Sequence, residues 1–212
     1  MLRKLTLTLF SAMVVFGLTA PVQADDSDPE HIIMTVSEQV LEAVKKERRT
    51  FKENPEALKA KLMALMEPHT DFESFSRGVM GSYYMQSSPE QRARFMEDFK
   101  ETLIDLYTKA LVAFEVKSMG IHETVYRNPE SARVVMVVTS PDENTYFVQY
   151  SMRKDGAGKW VVRNVVLDGV NLGLTYRNQF KSAMETNGND LDKVIVGWLD
   201  SMRNQEPETQ IQ

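Results

Sequence analysis

The stretch WVVRNVVLDGVNLGLTYRNQF, residues 160–180, changes its hydrophobic period halfway along. Its first half is a run of β-branched residues, typical of a strand, and Asp168-Gly169 is a turn dipeptide that ends the run. Its second half places Leu174, Tyr176 and Phe180 on one side of a predicted helix. Neither half contains a Cys, a His or a nucleophile beside a base. The stretch therefore predicts a strand followed by a helix and does not indicate catalysis.

Three further segments have the period of a strand. They are AFEVKSMGI (113–121), ARVVMVVTS (132–140) and TYFVQYSMR (145–153), and the fourth strand is KWVVRNVVL (159–167). Short turns join them, at Asn128-Pro129 and at residues 141–144 and 155–158. Connections this short permit only antiparallel neighbours. The sequence therefore predicts a four-stranded antiparallel meander sheet.

Helical periodicity flanks this sheet on both sides. Helices are predicted over 32–44, from Asn54-Pro55 to residue 66, over 71–85, from Ser88 for about five turns, and over 172–186 and 190–202. The fourth helix has the strongest start signal, because Ser88-Pro89-Glu90-Gln91 is a capping box with Pro at the first helical position. About six helices and one sheet, without a linker, predict a single α+β domain over 25–212, with a frayed tail at 203–212.

The first 24 residues have the pattern of a secretory signal peptide. Arg3 and Lys4 precede an apolar stretch of 14 residues, and Val22-Gln23-Ala24 is a small-x-small cleavage pattern. A membrane span needs roughly 20 residues, and a lipoprotein anchor needs a Cys that the chain lacks. We therefore expect residues 1–24 to be removed after Ala24 and the chain to be released.

Charge and cysteine content narrow the class of protein. Removing Arg3 and Lys4 with the signal lowers the formal net charge from −5 to −7. This acidic balance argues against a nucleic-acid partner. The absence of Cys excludes disulfides and thiol chemistry. An exported, acidic, Cys-free domain fits the bacterial periplasm best.

The titratable residues do not form a recognisable catalytic or metal site. The three histidines have no metal-binding spacing, and they are His31, His69 and His122. The acidic residues of the fourth helix lie opposite its apolar stripe, as a solvated face would, and they are Asp98, Glu101 and Asp105. There is no Gly-x-Ser-x-Gly elbow and no phosphate-binding Gly loop. The sequence indicates a binding protein, not an enzyme, and no metal or cofactor.

Three segments resemble the MlaC family of periplasmic phospholipid carriers, also called toluene-tolerance proteins. They are DFESFSRGVMGSYYMQSSPEQRARFMEDFKETLIDLY (71–107), GKWVVRNVVLDGVNLGLTYRNQF (158–180) and NGNDLDKVIVGWL (187–199). The resemblance runs from about residue 30 to residue 202. Family members typically have Asp where Asn164 stands and Ser where Asn171 stands.

The resemblance implies an NTF2-like α+β fold in which helices and sheet enclose an apolar cavity. Phospholipid would be the cargo, with its acyl chains inside the cavity and its head group near the mouth. The expected partners are an outer-membrane lipoprotein-porin complex and an inner-membrane ABC transporter with a substrate-binding ring, which a monomeric carrier would serve in turn. No reaction would be catalysed.

Apolar residues of the third and fourth helices, the sheet and the last strand-helix stretch are the candidates for the wall of this cavity. They are Phe75, Val79, Met80, Tyr83, Phe99, Leu103, Leu106, Tyr107, Val134, Met136, Val138, Tyr146, Val148, Tyr150, Val162, Val166 and Leu174. Arg177 is the head-group candidate, since a guanidinium can bond two phosphate oxygens at once. A surface ion pair is the simpler interpretation of Arg177.

Two other functions remain open at this stage. A periplasmic enzyme of the same broad fold would place a charged side chain, such as Asp105 or His122, inside the cavity. A chaperone or adaptor would bind polypeptide in a shallow apolar groove and would hold no small molecule tightly.

Overall fold

The computed structural model describes residues 28–204. The predicted signal peptide and residues 205–212 of the predicted tail lie outside this range, whereas residue 203 ends a helix. Residues 28–204 contain six α-helices: α1 (Pro29–Glu47), α2 (Pro55–Met66), α3 (Phe72–Met80), α4 (Pro89–Ala113), α5 (Leu172–Thr186) and α6 (Leu191–Arg203). None of these helices is both long and apolar enough to cross a bilayer.

The sheet is an antiparallel meander, as predicted, but the described part of the chain gives it five strands and not four. The strands are β1 (Ser118–Asn128), β2 (Ser131–Thr139), β3 (Thr145–Lys154), β4 (Trp160–Leu167) and β5 (Val170–Asn171), hydrogen-bonded in this order. The fifth strand pairs with β4 across the Asp168-Gly169 turn. Two residues are too few to show a strand period, so the sequence could not reveal it.

The helix starts agree with their sequence signals. Asn54 and Asp71 each accept a bond from a first-turn N–H group, at the starts of α2 and α3. At α4, the Ser88 hydroxyl accepts from Gln91 N–H while the Gln91 side chain accepts from Ser88 N–H. Because each bond satisfies an N–H group that has no helical partner, these caps fix where the helices begin.

The third helix is shorter than predicted. It ends at Met80, and Gly81 follows with φ +56°, a left-handed conformation that glycine adopts without strain. A short 3-10 helix then covers Gly81–Gln86. A side chain at position 81 would also meet Arg177, whose Nε lies 3.1 Å from the position a Cβ would take. The apolar spacing of 71–85 therefore does not show that the α-helix ends at Gly81.

The first strand begins later than predicted. Residues 113–117 were expected to be strand, but α4 continues to Ala113 and β1 begins at Ser118. The apolar stripe that contains Phe95 and Phe99 continues along α4. The last turn of this helix therefore occupies positions where the strand was expected to begin.

Three clusters of buried apolar residues hold the layers together. One lies between the sheet and α1, the second joins α3, α4, α5 and α6, and the third joins α1 and α2 with the end of α4 packed beside them. α4 packs mainly on α2, α3 and α6, not on the sheet. Val165 of β4 is packed against both the sheet cluster and the helical cluster. The sheet and the helical layer are therefore two separate cores that meet near β4.

Candidate functional site

One side of the sheet is apolar over most of its length. Directly opposed residues of an antiparallel pair point to the same side, and the register pairs Val134 with Tyr150 and Met136 with Val148. Tyr150 in turn opposes Val165 of β4. We call this side the inner face. Its apolar members are Met119, Ile121, Val134, Met136, Val138, Tyr146, Val148, Tyr150, Met152, Val162, Val165 and Leu167.

The inner face is tightly covered at one end only. There, Ile32 and Ile33 of α1 pack on a buried set that comprises Val134, Met136, Met152 and Val162. Towards the other end, the residues pack against the same cluster but are only partly buried: Met119, Ile121, Val138, Val148, Tyr150 and Val165. Protein interiors are close-packed, so apolar side chains that remain accessible on a core-facing side border unfilled space.

The helices contribute two side chains at this end. Val36 of α1 packs against the sheet cluster, and the ring of Phe114, the C-cap of α4, lies 5.3 Å from the ring of Tyr146. The body of α4 packs on other helices, so the sheet is not closed over by it here. We call the region bordered by these half-buried residues the inner pocket, and its members are Val36, Phe114, Val138, Tyr146, Val148, Tyr150 and Val165.

The inner pocket is lined mainly by apolar side chains. The polar side-chain atoms among its members are the hydroxyl groups of Tyr146 and Tyr150. Burial raises the pKa of Tyr150 to about 12, against the opposing effect of a hydrogen bond to Ser37 of α1. In the neighbouring helical cluster, the hydroxyls of Tyr107 and Tyr176 are 2.9 Å apart, and burial raises the pKa of both, to about 12 for Tyr176. None of the pocket residues is charged, so the pocket offers no acid, base or nucleophile at neutral pH.

The two side chains that an enzyme would place inside a cavity lie elsewhere. Burial tends to raise the pKa of Asp105, but hydrogen bonds from Lys59 and Lys109 outweigh it and hold the pKa below its ordinary value. These contacts are ion pairs of Asp105 with Lys59 of α2 and with Lys109 of its own helix. His122 is exposed, and its ring lies 5.7 Å from the ring of exposed Phe147. Neither residue borders the inner pocket.

Several candidates from the sequence belong to the helical cluster, not to the inner pocket. They are Phe75, Val79, Met80, Tyr83, Phe99, Leu103 and Tyr107. This cluster is densely packed, since the Phe99 ring stacks on the Phe95 ring at 5.4 Å and meets the Tyr176 ring edge-on at 5.8 Å. Leu106 is also buried on α4. Helical periodicity shows that these side chains point inwards, but it does not show towards which of two cores.

Two candidates lie outside both cores. Val166 opposes Gln149 of β3, which alternates with the inner-face residues Val148 and Tyr150, so Val166 is on the outer side of the sheet. Leu174 is 53% exposed on the first turn of α5. Val134, Met136, Val138, Tyr146, Val148, Tyr150 and Val162 do share the inner face.

The sequence interpretation missed part of the pocket wall. Val36 belongs to the predicted apolar stripe of α1, whereas Phe114 was placed in the predicted first strand and is instead the C-cap of α4. Met119, Ile121 and Val165 face inwards because of the register of β1 and β4. Both strands contain a bulge, which alternation in the sequence does not locate.

The corner after β4 positions Arg177 away from the inner pocket. Asp168 and Gly169 have φ of 48° and 85°, and the Asp168 carboxylate accepts from Phe147 N–H at 3.0 Å. Asn171 then caps α5. Arg177, one and a half turns further on, is exposed and lines a cleft of about 300 Å³ between α3, β4 and α5. Within residues 28–204 no group of three or more His, Cys, Asp or Glu residues is placed to hold a metal ion.

Comparison with known proteins gives a consistent result. The family model described as MlaC protein matches residues 34–199. Toluene tolerance protein ttg2D of Pseudomonas putida is 34% identical over 198 residues, which are 93% of this chain and 89% of that protein. The intermembrane phospholipid transport system binding protein MlaC of Haemophilus influenzae is 23% identical over 175 residues, 81% of each.

A solved structure has the same fold. It is a phospholipid-binding protein from Ralstonia solanacearum in complex with a phospholipid, and it superposes with a TM-score of 0.74 at 21% identity. The match covers 83% of this chain and 97% of that one. The family model spans all three segments that carried the resemblance in the sequence. The chain therefore belongs to the MlaC family.

Proposed function

We propose that this chain is a periplasmic phospholipid carrier that holds acyl chains in the inner pocket and catalyses no reaction. The observation that carries the proposal is the inner face, on which α1 packs tightly at one end while apolar side chains towards the other end stay only partly buried. An apolar surface left open inside a protein stabilises a bound apolar group, because that group removes both surfaces from water.

The energetics of lipid transfer favour such a pocket. Exposing a methylene group to water costs about 0.8 kcal/mol, so two chains of about fifteen methylenes would cost about 24 kcal/mol. A carrier must therefore cover most of the tail length. Measured against a bilayer the preference is far smaller, because both environments are apolar. Loading and release would then differ little in free energy, and docking on membrane complexes would accelerate both beyond the slower exchange with a bare bilayer.

The names of the relatives support this proposal. One is an intermembrane phospholipid transport system binding protein, and the structural neighbour holds a phospholipid. We infer an NTF2-like arrangement around the cavity and a monomeric carrier that is exported by its signal peptide. Its partners would be an outer-membrane lipoprotein-porin complex and an inner-membrane ABC transporter with a substrate-binding ring.

A vesicle assay tests the carrier function directly. Delipidated protein is incubated with phospholipid vesicles, the vesicles are sedimented, and phospholipid in the supernatant is counted against protein. We expect unmodified phospholipid to leave the vesicles with the protein and to enter a second batch of vesicles made of a different, distinguishable phospholipid. Chemically altered lipid would favour an enzyme, and a supernatant without lipid would favour a polypeptide-binding adaptor.

A further inference from the structure

The cleft beside Arg177 is a second concave site, separate from the inner pocket. It has a volume of about 300 Å³ and lies between α3, β4 and the start of α5. Arg163 and Asn164 line it from β4, Asn171 from β5, and Leu174 and Arg177 from α5. None of these residues belongs to the inner pocket, and the function proposed above makes no use of Arg163.

The charges in this cleft do not cancel. Arg163 is paired with Asp71 at 2.9 Å, and the same carboxylate also accepts from Ser74 N–H at 2.9 Å. Arg177 has no carboxylate within 4.0 Å among residues 28–204. The Arg163 Nε atom is buried and has no hydrogen-bond acceptor within the same residues. The cleft therefore keeps an uncompensated positive charge on a chain whose net charge is −5.

The first turn of α5 offers few free backbone N–H groups to an incoming ligand. Gly173 N–H donates to Asn164 Oδ1 and Leu174 N–H donates to Asn171 Oδ1, both at 3.0 Å. The Asn164 amide also donates to Asn171 Oδ1 at 3.0 Å, which fixes the two side chains against each other. The N–H groups of Gly173 and Leu174 are therefore satisfied. The donors that remain are those of the guanidinium groups.

The Arg177 guanidinium lies close to the backbone of Gly81. A Cβ at Gly81 would come within 3.1 Å of Arg177 Nε, so the arginine lies directly across the bare backbone where α3 ends.

We propose that this cleft binds the phosphate group of a phosphate ester. A guanidinium matches phosphate oxygens with two parallel N–H donors, and a second arginine lines the same cleft. The volume is about ten times that of a water molecule in the liquid, which suits a phosphodiester with a short polar substituent. A phospholipid head group and free phosphate present this same chemistry.

Calorimetric titration at low ionic strength tests the site with two probes, inorganic phosphate and glycerophosphoethanolamine. The informative variants are Arg177→Gln, which removes the donor, and Asn164→Asp, which adds a carboxylate but keeps the oxygen that accepts from Gly173 N–H. We expect each to weaken binding about tenfold or more. The matched control is Arg94→Gln, an equal loss of charge at an exposed arginine near Asp98 and Asp192, and it should leave the affinity unchanged.

Protein with and without its co-purified lipid distinguishes the sources of the phosphate. Binding to the delipidated form alone would identify the head group of the carried lipid, and equal binding to both forms would identify free phosphate or a second lipid. Both results support the site. The proposal is overturned if neither probe binds the delipidated parent, if acetate binds as well as phosphate, or if all three variants have the parent affinity. Equal weakening by Arg94→Gln would also overturn it, since that would indicate unspecific attraction. Lipid content per chain is measured in the same samples, so the carrier function is judged independently.

Discussion

Val148→Trp tests whether the half-buried end of the inner face borders a cavity. Val148 opposes Met136 and Leu167 on the inner face and is only partly buried. A buried aromatic side chain covers about 150–250 Å², worth about 4–6 kcal/mol at ~25 cal/mol per Å². Burial of the original valine already supplies about 1.5–3 kcal/mol. Because the pocket is open on one side, we expect a net gain of about 1–2 kcal/mol at most in the lipid-free protein.

The expected readout has two parts. The indole takes space that acyl chains would use, so phospholipid per chain should fall by about half or more. In delipidated protein the urea midpoint should stay unchanged or rise by up to about 1 M, for a slope near 2 kcal/mol per M. Lipid phosphorus and urea unfolding are measured on the same preparations.

Two matched valines control for the size of the side chain. Val162 lies in the covered part of the inner face, where overpacking costs about 1–3 kcal/mol, so Val162→Trp should lower the midpoint. Val166 is on the outer side of the sheet, so Val166→Trp should change neither lipid content nor stability appreciably. The reasoning is refuted if Val148→Trp loses stability while lipid stays at the parent level. It is equally refuted if Val166→Trp depletes lipid as much as Val148→Trp does.

Three further predictions concern the rest of the chain. The pKa of Asp105 is lowered by Lys59 and Lys109, so its ion pairs stabilise the fold above its unfolded pKa of 3.8 and this contribution is lost as pH falls below that value. Asp105→Asn should therefore lower the free energy of unfolding by about 1–3 kcal/mol at pH 7 and by less at pH 2, and equal losses at both pH values would contradict this. Ser88→Ala should cost about 1 kcal/mol in a urea titration, because it removes the cap of α4, with lipid content unaffected; a midpoint equal to that of the parent would show that the cap contributes nothing. N-terminal sequencing of exported protein should begin at Asp25, and an uncleaved N-terminus would disprove the signal-peptide prediction.

Local signals in the sequence predicted the elements where a few adjacent residues determine the structure. The start of α4 is an example, because Ser88, Pro89 and Gln91 act on one another within a single turn. The break after α3 shows the opposite case. The apolar spacing continues past Gly81, and only the backbone conformation at that residue and the nearby Arg177 side chain reveal that the helix ends.

The side of the sheet to which each β4 residue points depends on a bulge, which alternation in the sequence cannot show. Strict alternation places Val162 and Val166 on one side of β4. A bulge makes Arg163 an extra residue between the pairs Met152–Val162 and Ser151–Asn164, and from there the sides exchange. Val165 thus joins the inner face and Val166 leaves it.

The sequence also could not show which of the two cores the apolar residues of α3 and α4 face. The apolar stripes that contain Phe75 and Phe99 point inwards whether they line a cavity or fill a core. Because α3 and α4 pack on α5 and α6, these residues fill a solid helical cluster. The inner pocket instead depends on which end of the sheet α1 leaves uncovered. That is a long-range property of the fold and has no local signal.

The phospholipid content of the native protein decides whether this chain is a lipid carrier. Protein purified from the periplasm without detergent is extracted with organic solvent, and lipid is identified by mass spectrometry and counted against chains. A carrier with an apolar inner pocket should be filled during expression and should hold close to one phospholipid molecule per chain. A folded, stable chain whose extract contains no phospholipid would contradict the account.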